Sequence, residues 1–173
     1  AFRRLPVPVI AAVHGHCLGG GLQIALGADF RISHPDATWS VLEGKWGIIP
    51  DMSGVHALSE LVGIDVAKRL TMTADKISGT RAHELGLVTE VDDDPLAAAL
   101  DLAQQLATRS PDALAATKRL FDGTWTRGAR HTFARERWEQ LPLLFGPNAA
   151  RARAANARKA QPEFLPRQRR LVP

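Results

Sequence analysis

Cys17 is the single cysteine of the 173 residues, so no disulfide can form within the chain. The expectation is a reducing compartment, taken as the cytoplasm. No apolar run approaches the roughly 18 residues that a membrane-spanning helix needs, so no membrane partner is expected. Arg3 and Arg4, followed by apolar and small residues, imitate a secretory leader, but Pro6 and Pro8 interrupt it. Position 1 is not methionine, and the sequence is expected to begin partway through a longer polypeptide. There is no internal repeat. His14, His16 and Cys17 lie close together, yet adjacent residues leaving a strand point in different directions and no further ligand pair joins them, so no metal is expected. Acids are scarce at the end, where Arg151 to Arg170 hold seven basic residues and only Glu163.

What is present is a core. With 45% hydrophobic residues, a chain of this length forms one soluble unit. The net charge of +4 is mild, and the basic end lacks any nucleic-acid recognition module, so it is read first as a solvated face and tail. Val7 to Val13 is β-branched and flanked by prolines, which predicts a buried strand. Gly19, Gly20 and Gly21 follow and let the backbone approach a ligand. Leu22, Ile24, Ala25, Leu26 and Ala28 then predict a mostly buried helix ended by Asp29, whose starting N–H groups face an anion.

Strands are expected at 30–33 and 38–41, with an irregular loop from Leu42 to Gly54. Such loops collect site residues. Two short helices, 55–62 and 65–73, follow, with Asp65 as a cap of the second. A short helix stopped by Gly86 and a strand from Leu87 to Val91 come next. Asp94-Pro95 and Ser110-Pro111 are start signals for two helices, with Leu96, Leu100, Ala103 and Ala107 on one face of the first and Leu114, Thr117 and Phe121 on one face of the second. Further helices are expected at 131–141 and 148–160. Beyond Pro162 the chain is expected to order only against a partner.

The run Pro8-Val-Ile-Ala-Ala-Val-His-Gly-His-Cys-Leu-Gly-Gly-Gly, with Ala28-Asp29, resembles the crotonase family of enoyl-CoA hydratases and isomerases. Glu43 with Gly47-Ile-Ile-Pro, the stretch Ile77-Ser-Gly with Ala82 and Leu85-Gly-Leu-Val, and Ser110-Pro111 with Lys118 fall in the family's order and spacing. The resemblance implies an α/β fold, a spiral of ββα turns followed by C-terminal helices that build homotrimers, often paired as hexamers. It divides the chain into residues 1–91, the remaining spiral with the oxyanion and acid/base loop, and 92–173, the helical oligomerisation region with its basic tail. The N-terminal turns of the family are absent from this sequence.

The resemblance also implies a coenzyme A thioester as substrate and no permanently bound cofactor. Leu18, Gly19 and Gly20 become the candidate contacts for that thioester, with the Gly20 N–H holding the enolate oxygen. A second donor belongs to the family's N-terminal half. Hydratases of the family use two glutamates, and the corresponding positions here are Gln23 and Glu43. Gln23 cannot exchange a proton, which favours double-bond isomerisation by one carboxylate over hydration. Glu43 is the expected base, with Val41, Leu42 and Trp46 placed to exclude water. Asp51 resembles the aspartate of the dienoyl-CoA isomerase branch and is expected to turn into the same pocket as a proton partner. As alternatives, Gln23 hydrogen-bonds the neighbouring loop, Asp51 fixes a turn, or the chain binds acyl-CoA or assembles without catalysis. For the basic end, contact with the phosphates of coenzyme A on a neighbouring subunit ranks second to solvation.

Overall fold

The structure, a computed structural model, describes residues 2–167. By their internal contacts these residues form two units, where composition and length suggest one. The first comprises the residues up to Arg3 together with Val9–Asp101, and the second comprises Arg4–Pro8 and the residues from Leu102 onward.

In the first unit each turn of chain contributes one strand to each of two sheets. Strand β1 (Ile10–Val13) and strand β2 (His16–Leu18) precede helix α1 (Gly20–Ala25). Strands β3 (Phe30–Ser33) and β4 (Thr38–Ser40) precede a 3-10 helix (Leu42–Trp46), α2 (Gly54–Leu61) and α3 (Ile64–Thr73). The last pass contributes β5 (Ile77–Ser78), α4 (Gly79–Glu84) and β6 (Glu90–Val91). One sheet has the order β1-β3-β6 and is parallel, and the other has the order β2-β4-β5 with its last pair antiparallel. This is the ββα repetition that the resemblance implies.

Trp39 fills the interior together with Leu22, Leu26, Val41, Leu58 and Leu87. Its indole N–H would be costly to bury alone, and it donates to Ser33 Oγ at 2.9 Å, joining strands of the two sheets. Arg31 is also buried and donates to the carbonyls of Leu87 and Ala28, each at 2.7 Å. Burial, and then the charge of Arg3, pulls its guanidinium below the ordinary value, while Asp29 acts in the opposite direction. Asp29 itself accepts from the Val9 N–H at 2.7 Å.

Helix α5 (Pro95–Ala107) begins as expected, with Asp94 Oδ1 accepting from the Ala97 N–H at 3.0 Å. The second unit then holds α6 (Pro111–Thr124), α7 (Ala129–Leu144) and α8 (Pro147–Ala157). Ser110 caps α6 through the Ala113 N–H. Lys118 is buried and donates to the Val7 carbonyl at 3.0 Å. Glu139, also buried, pairs with Arg119 at 2.8 Å and Arg135 at 3.2 Å.

Several expectations need correction. The strand over 7–13 is shorter, because Val7 is half exposed and pairing starts at Ile10. In α1, Ile24 faces outward and Gln23 inward, since a six-residue helix buries one narrow face. Asp65 lies inside the first turn of α3, whose cap position is Gly63. The buried stripe of α5 runs through Pro95 and Ala99, whereas Leu96 and Leu100 are exposed. On α6 it runs through Ala115 and Ala116, and Phe121 is exposed. Residues 163–167, expected to order only against a partner, are held within this chain: Asn148 Oδ1 accepts from the Leu165 N–H at 2.8 Å, and Arg151 donates to the Glu163 carbonyl at 3.1 Å. The rest of the expected tail, residues 168–173, lies outside the described residues. No helix among the described residues is long and apolar enough to cross a membrane.

Candidate active site

The site is built where β2 passes into α1. Gly19 takes φ 51° and ψ −122°, a backbone region in which a side chain is strained, and its N–H donates to the Ser40 carbonyl at 3.0 Å. That bond ties the start of α1 to the end of β4, from which the chain passes into the 3-10 helix carrying Glu43. A Cβ on Gly19 would stand 3.5 Å from Glu43 Oε1, so the glycine backbone forms one wall of the carboxylate's site. The Gly20 N–H stands in the first turn of α1, where no intrahelical acceptor exists.

Glu43 is 6% exposed. Its Oε1 accepts a hydrogen bond from Gln23 Nε2 at 2.5 Å, and its Oε2 is buried without a hydrogen-bond partner among the described residues. An unsatisfied buried acceptor costs about 1–3 kcal/mol, and more when it is charged, a cost that a purely structural carboxylate does not explain.

Gln23, 4% exposed, spends the rest of its amide on the loop: its Oε1 accepts from the Met52 N–H at 2.8 Å and the Gly54 N–H at 3.0 Å. Between these two donors Ser53 adopts a left-handed conformation with φ 68°. Met52 Sδ would lie 3.4 Å from a Cβ at Gly20, so the same loop closes over the glycines.

The structure thus brings together Gly19, Gly20, Gln23 and Glu43 from the candidates read in the sequence, with Leu18 leading into them on β2. It does not join Asp51 to them. Asp51 is exposed, and among the described residues it makes no hydrogen bond or ion pair with Glu43. Trp46, expected to help exclude water from Glu43, is 69% exposed, whereas Val41 is buried and Leu42 half-buried. The alternative in which Gln23 hydrogen-bonds the neighbouring loop holds, through two groups that the sequence reading did not name, the backbone N–H groups of Met52 and Gly54. The glycine at 54 was their one signal, because a Cβ there would meet Gln23 Oε1 at 2.8 Å.

Other candidates are set aside by geometry. Cys17 is buried, and desolvation pushes its thiol up to about 12, which removes the thiolate a nucleophile needs. Among the described residues no group of three His, Cys, Asp or Glu is placed to hold a metal ion.

Comparison with known proteins agrees with this architecture. A crystal structure of an enoyl-CoA hydratase from Polaromonas sp. JS666 superposes with a TM-score of 0.90 at 33% identity, covering 95% of this chain and 65% of that one. One from Mycobacterium tuberculosis H37Rv gives 0.89 at 31% identity, covering 92% and 64%. A carnitinyl-CoA dehydratase from Salmonella typhi is 38% identical over 122 residues, which is 69% of this chain and 47% of that protein. The chain therefore spans about half the length of the curated relatives it matches. The description of enoyl-CoA hydratase/isomerase fits residues 1–140, and with the sheets and the glycine turn in place the chain belongs to that family, the crotonases.

Proposed function

We propose that this site performs enolate chemistry on a coenzyme A thioester, and that its reaction is the shift of a double bond in an enoyl- or dienoyl-CoA with Glu43 as the single base. Glu43 Oε2 takes a proton from the carbon next to the thioester. The electron pair moves into the carbonyl, and the oxygen that becomes negative accepts from the Gly20 N–H and from a second donor outside this sequence. The proton on Oε2 then returns at the far end of the conjugated system, so no atom is gained or lost. A preorganised donor of this kind is worth about 10²–10³ in rate.

The observation that carries the reading is Glu43 Oε2, buried against Gly19 and without a hydrogen-bond partner among the described residues. Gln23 supports isomerisation over hydration because its amide cannot give or take a proton. Asp51 enters only as a proton partner that meets the substrate, since among the described residues it makes no hydrogen bond or ion pair with Glu43. A homotrimer or hexamer is part of the same proposal.

A second reading, hydration or dehydration, is favoured by the names of the relatives, an enoyl-CoA hydratase and a carnitinyl-CoA dehydratase. One set of assays separates them, made on the full-length polypeptide with 3-enoyl-, dienoyl- and trans-2-enoyl-CoA. Isomerisation that falls by about 10²–10⁴ in Glu43→Gln, with thioester binding retained, is the expected result. Rapid hydration of trans-2-enoyl-CoA by the wild type that is lost in Glu43→Gln overturns the isomerase reading and keeps the site. Thioester binding with background turnover of every substrate leaves a non-catalytic binding protein instead. An Asp51→Asn variant that isomerises at the wild-type rate removes Asp51 from the chemistry.

A further inference from the structure

We propose that Gln23 is the positioning residue of this site, a neutral strut that holds Glu43 by one oxygen and the Met52–Gly54 turn by two backbone N–H groups, leaving Glu43 Oε2 as the one oxygen that exchanges a proton. The inference rests on the reading of Glu43 as base.

The hydrogen bonds fix the orientation of the amide. Two N–H donors, from Met52 at 2.8 Å and Gly54 at 3.0 Å, converge on one side of the side chain, and a carboxylate oxygen stands 2.5 Å away on the other. With the amide turned over, an NH₂ would face two N–H groups and a carbonyl would face a carboxylate, three repulsive contacts in place of three bonds. A single side chain must therefore accept on one side and donate on the other. Glutamine does both without charge. A side chain of similar size such as methionine does neither, and glutamate accepts but donates only while it is protonated.

The strut also explains the loop. The Met52 and Gly54 N–H groups flank Ser53, whose left-handed φ of 68° turns both toward a common acceptor, a small anion-type nest filled by an amide oxygen. Gly54 has no Cβ because one would reach Gln23 Oε1 at 2.8 Å. The same turn carries Met52, whose Sδ packs toward Gly20. One amide thus sets the carboxylate and the loop over the glycines together. The hydrogen bonds of Gln23 go to Glu43 and to the loop, so it acts through Glu43. Among the described residues no charged side chain hydrogen-bonds or ion-pairs with Glu43.

Two substitutions in the full-length polypeptide separate the halves of the strut. In Gln23→Met both halves are lost. The kcat for isomerisation falls by about tenfold to a hundredfold, as expected for a displaced base, while KM changes by less than about threefold. Amide hydrogen exchange at Met52 and Gly54 accelerates by about tenfold or more. In Gln23→Glu the acceptor for both N–H groups remains, so those amides stay protected. The donor to Glu43 is present only while the introduced carboxyl keeps its proton. The kcat therefore falls as pH rises, on an alkaline limb that the wild type lacks, because two adjacent carboxylates repel once both are charged.

Wild-type kcat in Gln23→Met, or a Gln23→Glu profile that superposes on the wild type, overturns the proposal. Should Gln23→Met fail to fold by circular dichroism, Gly54→Ala tests the same strut by pressing on Oε1: unchanged kcat there also overturns it, and a kcat loss of about tenfold at unchanged KM supports it. An active Glu43→Gln enzyme would sink the base reading itself. An inactive one with wild-type behaviour at position 23 would sink only the strut.

Discussion

Cys17 and Gln23 stand at opposite ends of what single residues disclose. Cys17 lies in the middle of β2, in register with Trp39 of β4, and its thiol is buried among apolar side chains. Desolvation raises it from 9.0 to about 12. Its folded value lies above its unfolded one, so the contribution of the neutral thiol to stability is complete below about pH 9 and is lost as pH climbs toward about 12. Urea titrations from pH 8 to 11 should show the wild type losing more stability than Cys17→Ala over the upper half of that range. Iodoacetamide at pH 8 should alkylate the folded protein at least about a hundredfold more slowly than the urea-unfolded chain, as the thiolate fraction dictates. Equal labelling rates would refute the buried thiol. Glu43 and Gly20 were legible because each sits in a motif of fixed spacing. The sequence offers a bond from Gln23 to the neighbouring loop as one alternative but not its partners, because these are backbone N–H groups that converge only when Ser53 adopts a left-handed conformation, and no residue type at 52 or 53 announces that.

Among the elements, the strands at 30–33 and 38–41 fall nearly where expected, whereas β2 and β5 were not expected, the strand over 87–91 shrinks to Glu90–Val91, and the helix faces of α5 and α6 differ from the reading. The segments 30–33 and 38–40 are short, β-prone and bounded by turn residues, whereas α5 and α6 are rich in alanine and leucine, so two neighbouring stripes satisfy the helical period equally well. Burial then follows the small residues, Ala99 on α5 and Ala115 with Ala116 on α6, which allow close approach. The segment after α8 was misread for a related reason: its anchor is one buried side chain. Asn148 is 1% exposed; its Nδ2 donates to Asp112 Oδ2 at 2.7 Å and to the Leu165 carbonyl at 3.0 Å, and its Oδ1 accepts from the Leu165 N–H. The side-chain amide thereby pairs with Leu165 much as a neighbouring strand would. Asn148→Ala removes all three of these bonds and should cost about 2 kcal/mol or more. Urea denaturation measures the loss, and trypsin should cut after Arg158 and Lys159 sooner than in the wild type. Unchanged stability and cleavage would mean that the segment is held by other contacts.

Across the whole molecule, the net charge of +4 is too small to prevent self-association, and the apolar surface favours it. Trp138, Leu141 and Phe145 recur at the spacing of one helical face on and just after α7, and are 64%, 61% and 84% exposed in the chain by itself. Burying such a stripe is worth roughly 25 cal/mol for each Å² of apolar surface removed from water, and its cover is proposed to be a second copy of the chain. The full-length polypeptide should therefore sediment as a trimer or hexamer at micromolar concentration. Because the contact is apolar, raising sodium chloride from about 0.1 to 1 M, which shortens the screening length from about 10 to 3 Å, should leave the assembly intact. A paired substitution, Trp138→Asp with Phe145→Asp, should shift it toward monomer, since two carboxylates would lose water in a dry contact. If light scattering finds a monomer in the wild type, the stripe is covered by something other than another copy. If instead the assembly dissociates in salt while the paired variant stays associated, charge holds the subunits together and the basic end, from Arg151 onward, becomes the interface to test.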